Sequence, residues 1–136
     1  MSDDRGRCIV LWDRDCGFCA WMLAWVLRWD RDRRLRPASI QGPDGDRWLA
    51  AMPPERRLAS WHLVDEDGEV SSGGRALPAV FRRLPGGAPL AALAALRPPA
   101  TDAAYDWVAA HRSLLGRPIP AAAKERARTV IGERSD

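Results

Sequence analysis

Residues 18–29 read Phe-Cys-Ala-Trp-Met-Leu-Ala-Trp-Val-Leu-Arg-Trp, apolar at every position but Arg28 and free of glycine and proline. A run this long and this apolar reads as a buried helix. Ahead of it, Cys8-Ile9-Val10-Leu11-Trp12 reads as a short buried strand, bounded by Asp13-Arg14-Asp15. Cys16-Gly17-Phe18-Cys19 sits at the junction. Strand, turn and helix together place two thiols across the first helical turn, close enough to form a small disulfide ring. The positive end of the helix favours the thiolate of the first.

The chain has 136 residues, which suits one domain with a modest core. Hydrophobic residues make up 46% and charged residues 29%, the balance of a globular protein rather than a disordered one. Net charge is only +3, and Lys124 is the sole lysine among many arginines. Clusters such as Arg31-Asp32-Arg33-Arg34 are interrupted by acids, so they read as a solvated face and no nucleic-acid partner is expected. Residues 1–7 are polar and lack the basic-then-apolar layout of a secretory signal, so a cytoplasmic location is expected. No charge-free apolar run of about eighteen residues occurs, and no transmembrane span is expected. Three cysteines without a secretory signal argue against a structural disulfide framework, leaving redox work or a metal site.

Further elements follow from turn signals. Residues 35–40 suit a second strand and 45–52 a short helix stopped by Pro53-Pro54. Residues 60–64 suit a third strand, and Asp67-Gly68 marks a hairpin returning through 69–71. Gly73 and Gly74 give a flexible turn into a helix over 75–84, closed by Pro85-Gly86-Gly87. This order predicts an α/β fold of thioredoxin-like arrangement, a four-stranded mixed sheet flanked by helices. The domain core spans about 8–85. Extra C-terminal helices over 88–117 are expected to cover part of the sheet or an edge, with Thr101 capping one of them. The tail, 118–136, reads as either a short helix or a flexible segment.

Asp13-Arg14-Asp15-Cys16-Gly17-Phe18-Cys19 resembles the D-x-x-C-x-x-C signature of the DCC-type thiol-disulfide oxidoreductases, formerly a family of unknown function. Three later stretches are similar to that family in the same order. They are Leu63-Val64-Asp65-Glu66-Asp67-Gly68, then Gly73-Gly74-Arg75-Ala76, then Tyr105-Asp106-Trp107-Val108-Ala109 with Arg112 and Gly116. The resemblance runs from about Cys8 to Arg117 and implies a thioredoxin-like fold with dithiol–disulfide activity.

In that chemistry Cys16 is the expected nucleophile, since it is nearer the helix end, and Cys19 the resolving thiol. The partner would be a protein or small-molecule disulfide or thiol, contacted near Gly17 and Phe18, with no bound cofactor. Asp13 admits two readings: general base toward Cys19, or a group that caps the helix or satisfies loop amides; its charge opposes a Cys16 thiolate. Asp15 reads as a helix cap. Counting back from Gly68, Ser60 occupies the place where thioredoxins carry a cis-proline facing the cysteines. A non-proline residue rarely adopts cis, which puts peptide capture at this loop in doubt.

Two alternatives stand beside the redox reading. One is a zinc site, for which only Cys8, His62, His111 or nearby carboxylates could complete the ligands. The other is a non-enzymatic adaptor with a Trp-rich docking surface. Trp21, Trp25 and Trp29 recur every four residues, and this stripe is expected in the core.

Overall fold

The computed structural model describes residues 7–135. Residues 1–6, within the polar lead-in above, and Asp136 lie outside the described residues. The chain runs β1 (Cys8–Trp12), α1 (Gly17–Trp29), β2 (Leu35–Ser39), α2 (Pro43–Trp48), α3 (Pro54–Arg57), β3 (His62–Val64) and β4 (Val70–Ser72). A 3-10 turn, Gly73–Ala76, leads into α4 (Leu77–Arg83), followed by α5 (Ala88–Leu96), α6 (Pro98–Ala110), α7 (Arg112–Gly116) and α8 (Ala121–Arg134). The sheet order is β2-β1-β3-β4, with β1 parallel to β2 and antiparallel to β3, and β4 antiparallel to β3. This is the thioredoxin-like α/β arrangement that the turn signals imply.

All five residues of β1 are buried, so the strand contributes to both faces of the sheet. Cys8, Val10 and Trp12 join Ala20, Leu23, Ala24 and Leu27 of α1, Val80 of α4, and Ala127 and Ile131 of α8. Ile9 and Leu11 face the other way, against Ile40, Leu49 and Val64. Fully burying each large aliphatic side chain of this kind contributes roughly 1.5–3 kcal/mol.

Helix α1 departs from expectation. Its buried residues form one edge, Ala20, Leu23, Ala24 and Leu27, packed on the sheet and α8. The indoles lie on the flank of that edge. Trp25 is 56% exposed and Trp21 is half-buried, while Trp29 packs against the core, so the tryptophan stripe joins the core only at its last member. Trp21 stands edge-on to Trp25, and Trp29 turns back to donate its indole N–H to the Pro85 carbonyl at 2.7 Å. Spacing every four residues groups the indoles along one side of the helix; the side that packs on the sheet and α8 is instead that of Ala20, Leu23, Ala24 and Leu27.

The last segment is helical. Arg134 donates from Nη1 to the Leu27 carbonyl at 2.7 Å and from Nη2 to Asp30 Oδ2 at 2.6 Å. Asp30 is fully buried and also accepts the backbone N–H groups of Arg34 and Leu35. One carboxylate thus ends α1, starts β2 and anchors α8.

Three local readings change. Pro54 opens α3 rather than stopping a helix, as proline can in a first turn. Thr101 lies inside α6, which begins at Pro98, and its hydroxyl donates to the Ala94 carbonyl. Gly73 and Gly74 form no loose turn. Gly73 has φ +59, and a Cβ on Gly74 would stand 2.8 Å from the Asp102 Cα and the Thr101 carbonyl oxygen. Glycine here permits the close approach of α6.

Removing one partner of a buried pair leaves an uncompensated charge. Arg134→Met is therefore expected to lower stability by about 3 kcal/mol, read as a drop in the urea midpoint with an unchanged m-value.

Candidate dithiol site

Cys16 is the N-cap of α1. Its sulfur accepts the backbone N–H of Cys19 at 3.2 Å, the bond that a serine or aspartate oxygen makes at an ordinary cap. The same interaction that starts the helix therefore places the Cys16 sulfur at the positive helix end. Cys16 and Cys19 are both half-buried, and neither is in a disulfide.

The two thiols are sharply unequal. Cys16 is drawn down to about 6, chiefly by a hydrogen bond from the Cys19 thiol. The Cys19 backbone N–H and the Arg112 cation act in the same direction, while burial and the Asp13 charge oppose them. Cys19 is pushed far above the ordinary thiol range, first by that same hydrogen bond to Cys16, then by burial. Sharing one proton makes the outer sulfur the anion and the inner one the holder of the proton.

Asp13 follows β1 and has a side chain only 13% exposed. Its Oδ1 accepts from Gln41 Nε2 at 2.7 Å and from the Asp15 backbone N–H at 3.0 Å. Its Oδ2 faces Arg112 Nη2 at 3.7 Å. The carboxylate thus satisfies a loop amide, one of the two roles read from sequence, and its remaining oxygen looks toward the guanidinium. Asp15 is exposed and does not cap the helix; the cap belongs to Cys16 because its sulfur already fills that position.

Arg112, at the start of α7, ties the site together. Nη1 points at Cys19 Sγ at 3.9 Å, and Nη2 donates to the Leu58 carbonyl at 3.0 Å. The guanidinium thus links Cys19 to the loop before β3. That loop holds Ser60, which is half-buried, and no peptide bond among the described residues is cis. Two of its backbone N–H groups are already engaged: Trp61 N–H donates to the Tyr105 hydroxyl at 3.0 Å, and Ala59 N–H to the Arg56 carbonyl at 3.3 Å. Tyr105 stacks on Trp61, and burial raises its phenol, which stays neutral beside Cys19.

The residues between the cysteines are covered from the C-terminal side. A Cβ on Gly17 would come within 2.8 Å of Lys124 Cδ, and one on Gly116 within 3.2 Å of Phe18 Cβ. Arg128 Nη2 donates to the Arg14 carbonyl at 3.4 Å. Cys8 and His62 are spent elsewhere. The Cys8 thiol donates to Glu66 at 3.4 Å, and His62 is held between Ser72 Oγ and the Arg57 carbonyl. Among the described residues no three His, Cys, Asp or Glu side chains gather in a metal-binding arrangement. Also among them, no helix is long and apolar enough to cross a membrane.

The family described as DCC1-like thiol-disulfide oxidoreductase matches residues 10–118. The chain belongs to this family. No curated protein and no solved structure matches it. The matched span includes both cysteines and the Tyr105–Gly116 stretch. Arg112 and Tyr105 carry no role in the sequence reading beyond membership of a resembling stretch, and Gln41 carries no signal at all.

A thiolate reacts and a thiol does not. Alkylation of Cys16 in the reduced protein is expected to rise with pH through a midpoint near about 6 and to level off above it. Cys19→Ala should move that midpoint upward, because it deletes the hydrogen bond that stabilises the anion most; mass-resolved iodoacetamide kinetics read both values.

Proposed function

We propose that this protein exchanges thiols and disulfides through Cys16 and Cys19. The observation that carries the reading is the Cys16 sulfur, half-exposed at a helix N-terminus and accepting the Cys19 backbone N–H at 3.2 Å. In the first step the Cys16 thiolate attacks one sulfur of a partner disulfide, forming a mixed disulfide and releasing the other half as a thiolate. In the second, Cys19 gives up its proton to Asp13, and its sulfur attacks Cys16. The partner leaves as a thiolate, and a Cys16–Cys19 disulfide forms. The partner disulfide gains two electrons and the dithiol loses two; an external thiol or dithiol returns the protein to its reduced form.

Gly17, Phe18 and Ser60 are the proposed contacts for the incoming partner, since they flank the attacking sulfur in sequence or belong to the loop that Arg112 links to Cys19. The engaged N–H groups of Ala59 and Trp61 favour a partner that binds without adding a strand to this loop. A second reading, a protein-interaction adaptor, is favoured by the exposed Trp25, Met22 and Trp107.

Reduction of a small disulfide and of insulin, followed with an excess of dithiol, separates the two. Turnover should vanish in Cys16→Ser, while Cys19→Ser should accumulate a stable mixed disulfide visible by mass. Asp13→Asn should slow disulfide release more than initial attack. A wild type without cysteine-dependent turnover would leave the adaptor reading standing.

A further inference from the structure

We propose that Arg112 is a catalytic residue of the dithiol site: a single guanidinium faces both ends of the proton transfer that frees Cys19 for attack. The proposal rests on the thiol–disulfide reading above. Its basis is geometric. Nη1 lies 3.9 Å from Cys19 Sγ, and Nη2 lies 3.7 Å from Asp13 Oδ2. The second nitrogen is also fixed by the Leu58 carbonyl at 3.0 Å, so the fork is held rather than free to swing away. The Arg112 side chain is 28% exposed, and the carboxylate it faces is more buried still.

The chemistry makes that placement useful. During release from the mixed disulfide, the proton leaves Cys19 and arrives on Asp13. Negative charge therefore moves from the carboxylate to the sulfur. In a partly desolvated site, moving charge away from a counter-ion costs far more than in water. Here the two positions share one planar cation, each on its own nitrogen, so the charge keeps its partner throughout. The Cys19 sulfur then attacks Cys16, the bond from Cys16 to the partner breaks, and its electron pair leaves on the partner's sulfur. No further charged group is needed, and the neighbouring Tyr105 phenol stays neutral.

Gln41 has a supporting part. Its amide donates to the other Asp13 oxygen at 2.7 Å and fixes the carboxylate plane, which makes it a positioning residue. Lysine cannot replace Arg112 fully, because one ammonium on a flexible stem does not face sulfur and carboxylate at once.

A chromogenic aromatic disulfide such as 5,5′-dithiobis(2-nitrobenzoate) separates the steps in a single turnover. Attack by Cys16 releases the first coloured thiolate, and resolution by Cys19 releases the second. In the wild type both phases are expected. In Arg112→Gln the second phase should slow about tenfold or more, while the first falls less, tracking the raised alkylation midpoint of Cys16. Arg112→Lys should restore that midpoint yet leave the second phase slow. The Cys16–Cys19 couple should also become more reducing in Arg112→Gln, since loss of the cation destabilises the reduced, anionic form. A tenfold change in that equilibrium corresponds to about 30 mV. Equal slowing of both phases with an unchanged potential would reduce Arg112 to a structural contact and overturn the proposal. So would an Arg112→Lys variant indistinguishable from wild type. Absence of a cysteine-dependent first phase in the wild type would instead remove the parent reading, and this one with it.

Discussion

Helix α1 is held by one narrow edge. Ala20, Leu23, Ala24 and Leu27 are buried between the sheet and the packed C-terminal helix α8, and the position of every reactive atom depends on that clamp. The helix start is fixed relative to β1, so the Cys16 sulfur has one place to be. The far end is fixed by Asp30, a fully buried carboxylate joined to α1, β2 and α8 at once. A buried ion pair is a poor source of net stability, but it demands one register of the elements that meet at it. Here that register sets how α8 lies along the cysteine-bearing helix.

The C-terminal helices do more than cover a sheet edge. Tyr105 reaches the backbone ahead of β3, Arg112 reaches both Cys19 and Asp13, Gly116 admits Phe18, Lys124 crosses Gly17, and Arg128 holds the Arg14 carbonyl. Four positions from residues 112–128 therefore converge on the 13–19 segment near the other end of the chain, and Tyr105 reaches the loop before β3. In a minimal thioredoxin-like core the cysteines would face an open loop. In this protein Arg112 reaches the inner cysteine and Tyr105 holds the loop before β3.

Three cysteines of identical chemistry end in three electrostatic situations. Cys8 is buried on β1 beside Glu66 and is pushed up to about 12 by desolvation, although Arg83 opposes the change. Cys16 and Cys19 are shifted in opposite directions. The hydrogen bond that lowers the first raises the second, and both effects come from their spacing across one helical turn. Reactivity in this chain is a property of place rather than of the thiol.

Much of this was legible in the residues. The apolar run from Phe18 to Trp29 dictates a helix, the strand before it dictates a sheet, and C-x-x-C spacing dictates two sulfurs at the helix mouth, because each rests on interactions within a few residues. Hairpin glycine and proline signals supplied the remaining order of elements. What sequence could not decide was which side of α1 faces inward, since Trp and Leu positions are equally apolar and only the neighbours choose between them. Nor could it reveal that Asp13 meets Arg112 across 99 positions of chain, or that Gly74 exists to admit α6. Local periodicity determined the helix and its thiols; the charge around those thiols was decided only by folding, because electrostatic partners are set by distance in space and not by distance along the chain.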